Sequence, residues 1–118
     1  MPIEHVLVVE GELALLSIIC MELEEAGLTV HQATTADEAL SVLSSGTEID
    51  LLFTDIRMPG SMNGWQLAET ARTQRPDLKV IYASGYSDAA PHFVSGGEFL
   101  SKPYRMHVLL QAIGSLSS

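Results

Sequence analysis

Short apolar runs alternate with amphipathic segments along the chain, and this alternation limits the folds that are open to it. Five apolar runs have the length and composition of buried strands, and they cover residues 6–9, 28–30, 49–54, 78–83 and 99–100. Strands that alternate with helices form parallel sheets covered on both faces. We therefore expect an α/β fold built on a doubly wound parallel sheet, with ligands at the carboxyl ends of the strands.

Four helices are predicted between and after these strands, over residues 12–26, 35–43, 63–74 and 104–116. Gly27 is placed to end the first helix. Thr35 and Glu38 have the spacing of a capping box at the start of the second. The segment 84–97 carries a proline and a glycine pair, so it predicts only a short or irregular helix over residues 88–94.

Length and composition predict one domain over residues 1–118, because 118 residues with 47% apolar content can bury one core but not two. The net charge is −9, which repels nucleic acid and anionic lipid, so we expect neither as a partner. The sequence has no apolar run long enough to cross a bilayer and no secretion signal at its start. A single cysteine, Cys20, cannot form an internal disulfide, which indicates the cytoplasm.

Polar side chains stand where four of the predicted strands end. Glu10 and Asp55 follow the first and third strands, Ser84 follows the fourth, and Lys102 follows the fifth. Grouped carboxylates repel one another unless a cation joins them, and their oxygens suit Mg²⁺. An ammonium and a hydroxyl beside such a cation suit a tetrahedral dianion. The pattern indicates phosphoryl chemistry on a carboxylate.

Three segments at these strand ends resemble those of a known family. Residues 51–60 with 62–64 are similar to the phosphoacceptor segment of response-regulator receivers in two-component signalling. Residues 80–86 resemble their fourth strand and switch hydroxyl, in a form common among receivers of hybrid histidine kinases, and residues 99–104 resemble their lysine–proline segment. The resemblance covers essentially the whole chain. It implies a flavodoxin-like five-stranded parallel sheet in strand order 2-1-3-4-5.

The resemblance also implies roles for the residues at the strand ends. Asp55 would take a phosphoryl group from the phosphohistidine of a histidine kinase or phosphotransfer protein, with Mg²⁺ as cofactor. Ser84 and Lys102 would hold the phosphoryl group, and Arg57 and Tyr86 would flank it and tune its lifetime. Such a domain is a phosphoryl-accepting switch more than an enzyme.

The metal site departs from the family pattern at one position. The resemblance implies Glu10, Asp55 and the backbone carbonyl of Arg57 as ligands, but Gly11 stands where a second acid is usual. Losing one charged contact weakens metal binding roughly 10- to 100-fold. Glu12 either compensates for this loss or only favours the helix N-terminus. The alternative function is a degenerate receiver that binds a protein partner without phosphorylation.

Two expectations concern the region around the fifth strand. Phe99 would turn inward behind the phosphoryl group, and because it lacks a hydroxyl its switching would be a packing change. A short fourth helix leaves little of the surface that receivers use for dimers, so we expect any homodimer to use another surface. Trp65 and Tyr104 are expected to cover edges of the core.

The first predicted helix has two apolar stripes. The stripe expected to face the core consists of Leu15, Ile18, Ile19 and Leu23. The stripe expected to be partly exposed consists of Leu13, Leu16 and Cys20. Because histidine kinases dock on this helix in the family, the second stripe is either a partner contact or the flank of the core.

Two other α/β proteins are disfavoured by the sequence. A flavin- or nucleotide-binding protein needs a glycine-rich phosphate loop after the first strand, whereas residues 10–12 carry two acids there. A phosphatase of the haloacid-dehalogenase type needs a second aspartate just after the nucleophile, and Arg57 stands at that position.

Overall fold

The computed structural model describes residues 2–58, 60, 62–84 and 94–117. In this part of the chain the strands are β1 His5–Val9, β2 Thr29–Ala33, β3 Leu51–Asp55, β4 Lys79–Ser84 and β5 Glu98–Ser101. The helices are α1 Leu13–Glu25, α2 Ala36–Ser44, α3 Gly64–Gln74 and α4 Met106–Leu116. Most of the predicted helix over residues 88–94 lies outside the described residues. Among the helices described, none has the length and apolar character needed to cross a membrane.

All strands lie in one parallel sheet with the order β2-β1-β3-β4-β5. The predicted doubly wound sheet and its strand order are therefore confirmed. The pairing register aligns the carboxyl ends of the strands, because Val9 lies beside Thr54, Asp55 beside Ala83 and Ser84 beside Ser101. Side chains that follow these strands consequently share one edge of the sheet.

The core has two layers, one on each face of the sheet. Leu7 and Val9 of β1 pack with buried residues of α2 and α3, whereas Val6 and Val8 pack with buried residues of α1 and α4. The alternation follows from the two-residue period of a strand. Covering both faces explains why the central strands read as continuous apolar runs.

Most predicted bounds shift by one residue, and larger shifts occur in β2, β3 and α4. β2 extends through the polar residues His31 and Gln32 to Ala33, because it is an edge strand whose backbone pairs with β1 over its full length. β3 begins at Leu51, later than predicted. The last helix begins at Met106, with Arg105 as its N-cap, so Tyr104 lies outside it.

The start of α2 is held by two side chains, but only the Thr35 half of the predicted capping box forms. The Thr35 hydroxyl accepts a hydrogen bond from the backbone N–H of Glu38 at 3.1 Å. The Glu38 carboxylate reaches back one residue further than a capping box requires, and accepts from the backbone N–H of Thr34 at 2.6 Å. Thr35 therefore caps the helix, while Glu38 secures the residue before it.

The rotation of α1 about its axis differs from the prediction. Leu16 and Cys20, expected to be partly exposed, are 3% and 2% exposed and belong to the core. Ile18, expected in the core, is 51% exposed. Leu13 and Met21 are also exposed. Apolar residues occupy nearly every side of this helix, so their spacing could not fix which side meets the sheet.

Candidate functional site

Three charged side chains meet at the carboxyl edge of the sheet. The Lys102 Nζ atom lies 3.1 Å from an Asp55 carboxylate oxygen and 3.2 Å from a Glu10 carboxylate oxygen. The Glu10 and Asp55 side chains are only 7% and 13% exposed. One ammonium therefore bridges two largely buried carboxylates that come from different strands, which leaves the cluster with one excess negative charge.

Backbone hydrogen bonds fix the residues that carry this cluster. The Glu10 N–H donates to the carbonyl of Ala33 at 3.1 Å, and its carboxylate accepts from the backbone N–H of Glu12 at 3.1 Å. The Lys102 N–H donates to the carbonyl of Ser84 at 2.8 Å. The peptide bond between Lys102 and Pro103 is cis. The cluster is thus built on an ordered backbone rather than on free loops.

The start of α3 lies directly against the backbone of Asp55. The Gly64 N–H donates to the carbonyl of Ile56 at 2.8 Å. A Cβ atom at Gly64 would overlap the Asp55 carbonyl oxygen and lie 2.8 Å from the Ile56 Cα, so only glycine permits this approach. Asn63 and Gln66 complete a capping box at the same helix start. The sequence predicts a helix that begins at Asn63 or Gly64, and the close contact of Gly64 with Asp55 was not predicted, although the Asn63–Gly64 pair is its signal.

Burial and charge shift the titration of the cluster. Burial raises the pKa of Asp55, the hydrogen bond from Lys102 lowers it, and the charge of Glu10 raises it, with a net increase. Burial alone lowers the pKa of Lys102, but the hydrogen bond and charge of Asp55, followed by the charge of Glu10, raise it overall. The environment therefore favours the charged form of Lys102 and disfavours the charged form of Asp55.

We expect the Asp55→Asn variant to be more stable than the parent at pH 7 without divalent cations. The pKa of Asp55 is above its ordinary value of 3.8 in the folded protein, so its contribution to stability is full below that pH and is lost as pH rises through the raised value. The advantage of the variant should shrink as pH falls. Urea unfolding in EDTA across pH measures it, with the exposed Asp77→Asn as control. A constant difference at all pH values would contradict the expectation.

The other predicted phosphoryl-binding residues surround this cluster to different degrees. Ser84 is buried at the end of β4, and its carbonyl holds the backbone of Lys102. Phe99 lies on β5 beside Tyr82 and is partly buried against the layer formed by α2 and α3. Arg57 is exposed, two residues after Asp55. Tyr86 lies outside the described residues.

Glu12 takes part in the site through its backbone. It is the N-cap of α1, its side chain is exposed, and that side chain makes no capping hydrogen bond. Its backbone N–H instead holds the carboxylate of Glu10. Gly11, between the two acids, is exposed and supplies no side-chain oxygen.

Tyr104 is a residue near the cluster that the sequence analysis placed only at the core edge. Its ring packs edge-on against Phe53, with ring centres 5.8 Å apart. Its hydroxyl is buried, and within residues 2–58, 60, 62–84 and 94–117 it has no hydrogen-bond partner. Burial raises the pKa of this hydroxyl, and the charges of Glu10 and Asp55 raise it further. Its position two residues after Lys102 is the sequence feature from which a location near the cluster could have been predicted.

The residues of the cluster fit a hard divalent cation. Glu10 and Asp55 offer carboxylate oxygens, the ligand type that Mg²⁺ prefers, and the excess negative charge favours a cation. The buried Tyr104 hydroxyl adds a polar group without a partner. In the described residues the one group of three acids or histidines with converging ligand atoms is Glu4, His5 and Glu48, at the opposite ends of the strands.

The fold and the buried acid–lysine cluster are those of a signalling receiver, and comparison with known proteins agrees. The family described as the response regulator receiver domain matches residues 6–114. The chain therefore belongs to the response regulator receiver family, whose members are phosphoacceptor switches in two-component signalling.

Individual relatives support this assignment. The chain is 35% identical over 114 residues to the sensor kinase CckA of Brucella abortus; the match covers 92% of this chain and 12% of the kinase. A receiver protein from Sinorhizobium medicae has a TM-score of 0.90 and 31% identity, covering 97% of this chain and 94% of that one. The response regulator TrrA of Thermotoga maritima, solved in complex with Mg(2+)-BeF, has a TM-score of 0.86 and 28% identity, covering 96% and 98%.

Proposed function

We propose that this receiver accepts a phosphoryl group on Asp55 from a histidine kinase or phosphotransfer protein, in a reaction that requires Mg²⁺. The observation that carries the proposal is the Lys102 ammonium bridging Asp55 and Glu10 at 3.1 and 3.2 Å, on the carboxyl edge of a receiver sheet. A carboxylate in that position can accept a phosphoryl group, and the ammonium paired with it can stabilise the charge on the phosphoryl oxygens.

In the proposed reaction, an Asp55 oxygen bonds to the phosphorus of the donor phosphohistidine. The phosphorus–nitrogen bond breaks, and the imidazole leaves with the electron pair and takes a proton from solvent. Lys102 then pairs with a phosphoryl oxygen, and the Ser84 hydroxyl donates to another. Bound Mg²⁺ supplies neutralisation of the charge that collects on the phosphoryl oxygens.

The proposed metal ligands are Glu10, Asp55 and the backbone carbonyl of Arg57. Glu12 is a candidate fourth ligand, because its exposed carboxylate stands directly beyond Gly11. With no side-chain oxygen at residue 11, we propose that Mg²⁺ binds more weakly than at a site with one more acid.

The proposed response to phosphorylation involves the residues around the phosphoryl group. Ser84 and Phe99 would rearrange together, since β4 and β5 are paired neighbours. Arg57 and Tyr86 would flank the phosphoryl group and set its lifetime. We place any homodimer on a surface other than the one formed by the segment before β5.

The proposed docking surface for the kinase or phosphotransfer protein lies on α1. Leu13, Ile18 and Met21 are exposed there. A groove of about 540 Å³ is lined by Ile18 and by the residues from Lys102 to Tyr104. A partner on this surface would lie near the phosphoryl-accepting group, as transfer between two proteins requires.

We also propose a cytoplasmic location for the domain. Its single cysteine, Cys20, is buried, and burial and the charge of Glu24 raise its pKa to about 11, which suits a reducing compartment.

Labelling of Asp55 tests the proposal. Acetyl phosphate or beryllofluoride, added over a range of Mg²⁺ concentrations, should modify the parent and leave Asp55→Asn unmodified, as seen by intact mass and fluorescence of Trp65, which packs 4.6 Å from Tyr82. The dependence on Mg²⁺ should be steep. If the parent stays unmodified at every Mg²⁺ concentration, the proposal is wrong and a phosphorylation-independent binding module takes its place.

A further inference from the structure

We infer that the Tyr104 hydroxyl is a positioning group of the cation site: it finds its hydrogen-bond partner when a divalent cation and its water occupy the space beside Glu10 and Asp55. The inference rests on the proposed function for the identity of the cation. It adds Tyr104 to the site as a residue that supplies neither charge nor an anionic oxygen. Its role is to hold a water molecule of the hydrated cation in place.

The first observation is the contrast between two buried tyrosine hydroxyls. The Tyr82 hydroxyl accepts a hydrogen bond from the backbone N–H of Val94 at 3.1 Å. The Tyr104 hydroxyl is also buried, and among the residues that the structure describes it has no partner. Buried polar groups are almost always bonded, and an orphaned one indicates a missing water or ion. Tyr104 is therefore arranged for a partner that the described residues do not supply.

The second observation is the layer in which the Tyr104 ring lies. The ring contacts Phe53, which pairs with Val8 in the sheet. Side chains two residues apart on a strand share a face. The next residues on that face are Asp55 after Phe53 and Glu10 after Val8. The Tyr104 ring thus lies in the layer next to the strand ends that carry the two carboxylates, with Lys102 two residues before it in the chain.

The third observation is the charge around the hydroxyl. Burial raises the pKa of Tyr104, and the charges of Glu10 and Asp55 raise it further, so the hydroxyl keeps its proton and can both donate and accept a hydrogen bond. The charges of both carboxylates reach the hydroxyl, and among the described residues it bonds to neither. One water can bridge such a gap. Because Gly11 supplies no oxygen, that water matters more to the cation here.

The experiment compares Tyr104→Phe with the matched variant Tyr82→Phe, without any phosphodonor. We expect Tyr104→Phe to raise the Mg²⁺ dissociation constant about 3- to 10-fold in calorimetric titration, the effect of one lost hydrogen bond. Its unfolding midpoint in urea with EDTA should be unchanged or higher, since an orphaned hydroxyl is removed. Tyr82→Phe should do the reverse: a lower midpoint and an unchanged Mg²⁺ dissociation constant.

The outcomes separate this inference from the proposed function. A parent that binds Mg²⁺ and a Tyr104→Phe variant that binds it equally well overturn the inference alone. A variant that loses stability in EDTA together with Mg²⁺ affinity shows a purely structural role and also overturns it. A parent that binds no Mg²⁺ overturns the proposed metal site, and the inference with it.

Discussion

Replacing Lys102 with methionine is expected to lower the free energy of unfolding by about 2–3 kcal/mol at neutral pH without divalent cations. Methionine keeps the apolar stem of the side chain and removes only the ammonium. Glu10 and Asp55, 7% and 13% exposed, would then be two carboxylates without their shared cation. Urea unfolding in EDTA measures the loss, which should diminish as pH falls and the carboxylates take up protons.

The same variant separates stability from chemistry. Added Mg²⁺ should restore more stability to Lys102→Met than to the parent, because the cation then meets unpaired carboxylates. Labelling by acetyl phosphate should nevertheless fall about 100-fold, since the charge that stabilises the phosphoryl oxygens is gone. Lys79→Met, an exposed lysine at the other end of β4, is the matched control. Parent-like stability of Lys102→Met in EDTA would show that the bridge contributes little.

Replacing Gly11 with aspartate is expected to tighten Mg²⁺ binding about 10- to 100-fold, because it adds one charged oxygen ligand beside Glu10. Gly11 is exposed and is not one of the glycines with positive φ, so aspartate fits its backbone. Calorimetric titration gives the affinity. The Mg²⁺ concentration needed for half-maximal labelling of Asp55 should fall by a similar factor.

A second substitution decides whether the Glu12 carboxylate already serves as a Mg²⁺ ligand in the parent. If the Glu12 carboxylate is a ligand, Glu12→Gln should weaken Mg²⁺ binding in the parent and have less effect in the Gly11→Asp background. If Glu12 acts only through its backbone N–H, which holds Glu10, glutamine should leave the affinity unchanged. An unaltered affinity in Gly11→Asp itself would mean that residue 11 does not reach the site.

The sheet could be predicted because its signal is local and strong. Buried parallel strands require nearly continuous apolar runs, as in β3 and β4, and the covalent order then restricts the topology. The convergence of Glu10, Asp55 and Lys102 follows from the same geometry, since parallel strands bring their carboxyl ends to one edge. Strand β2 was the harder case, because an edge strand tolerates polar residues such as Gln32.

Features that depend on distances between elements could not be predicted. The rotation of α1 is set by its fit to the sheet, and a helix with apolar residues such as Leu13 and Ile18 on its outer side does not reveal that fit. The close approach of Gly64 to Asp55 depends on where α3 meets β3. The unpartnered hydroxyl of Tyr104 shows only once its neighbours are known.

The hydrogen bond from the Lys102 N–H to the Ser84 carbonyl joins two parts of the chain that would hold the phosphoryl group from different strands. Because this hydrogen bond joins the main chains of the two residues, we expect a displacement of one to displace the other. A movement of the Ser84 hydroxyl at the end of β4 would therefore also move the loop that leads to α4. This hydrogen bond is thus a direct main-chain link between β4 and the segment that precedes α4.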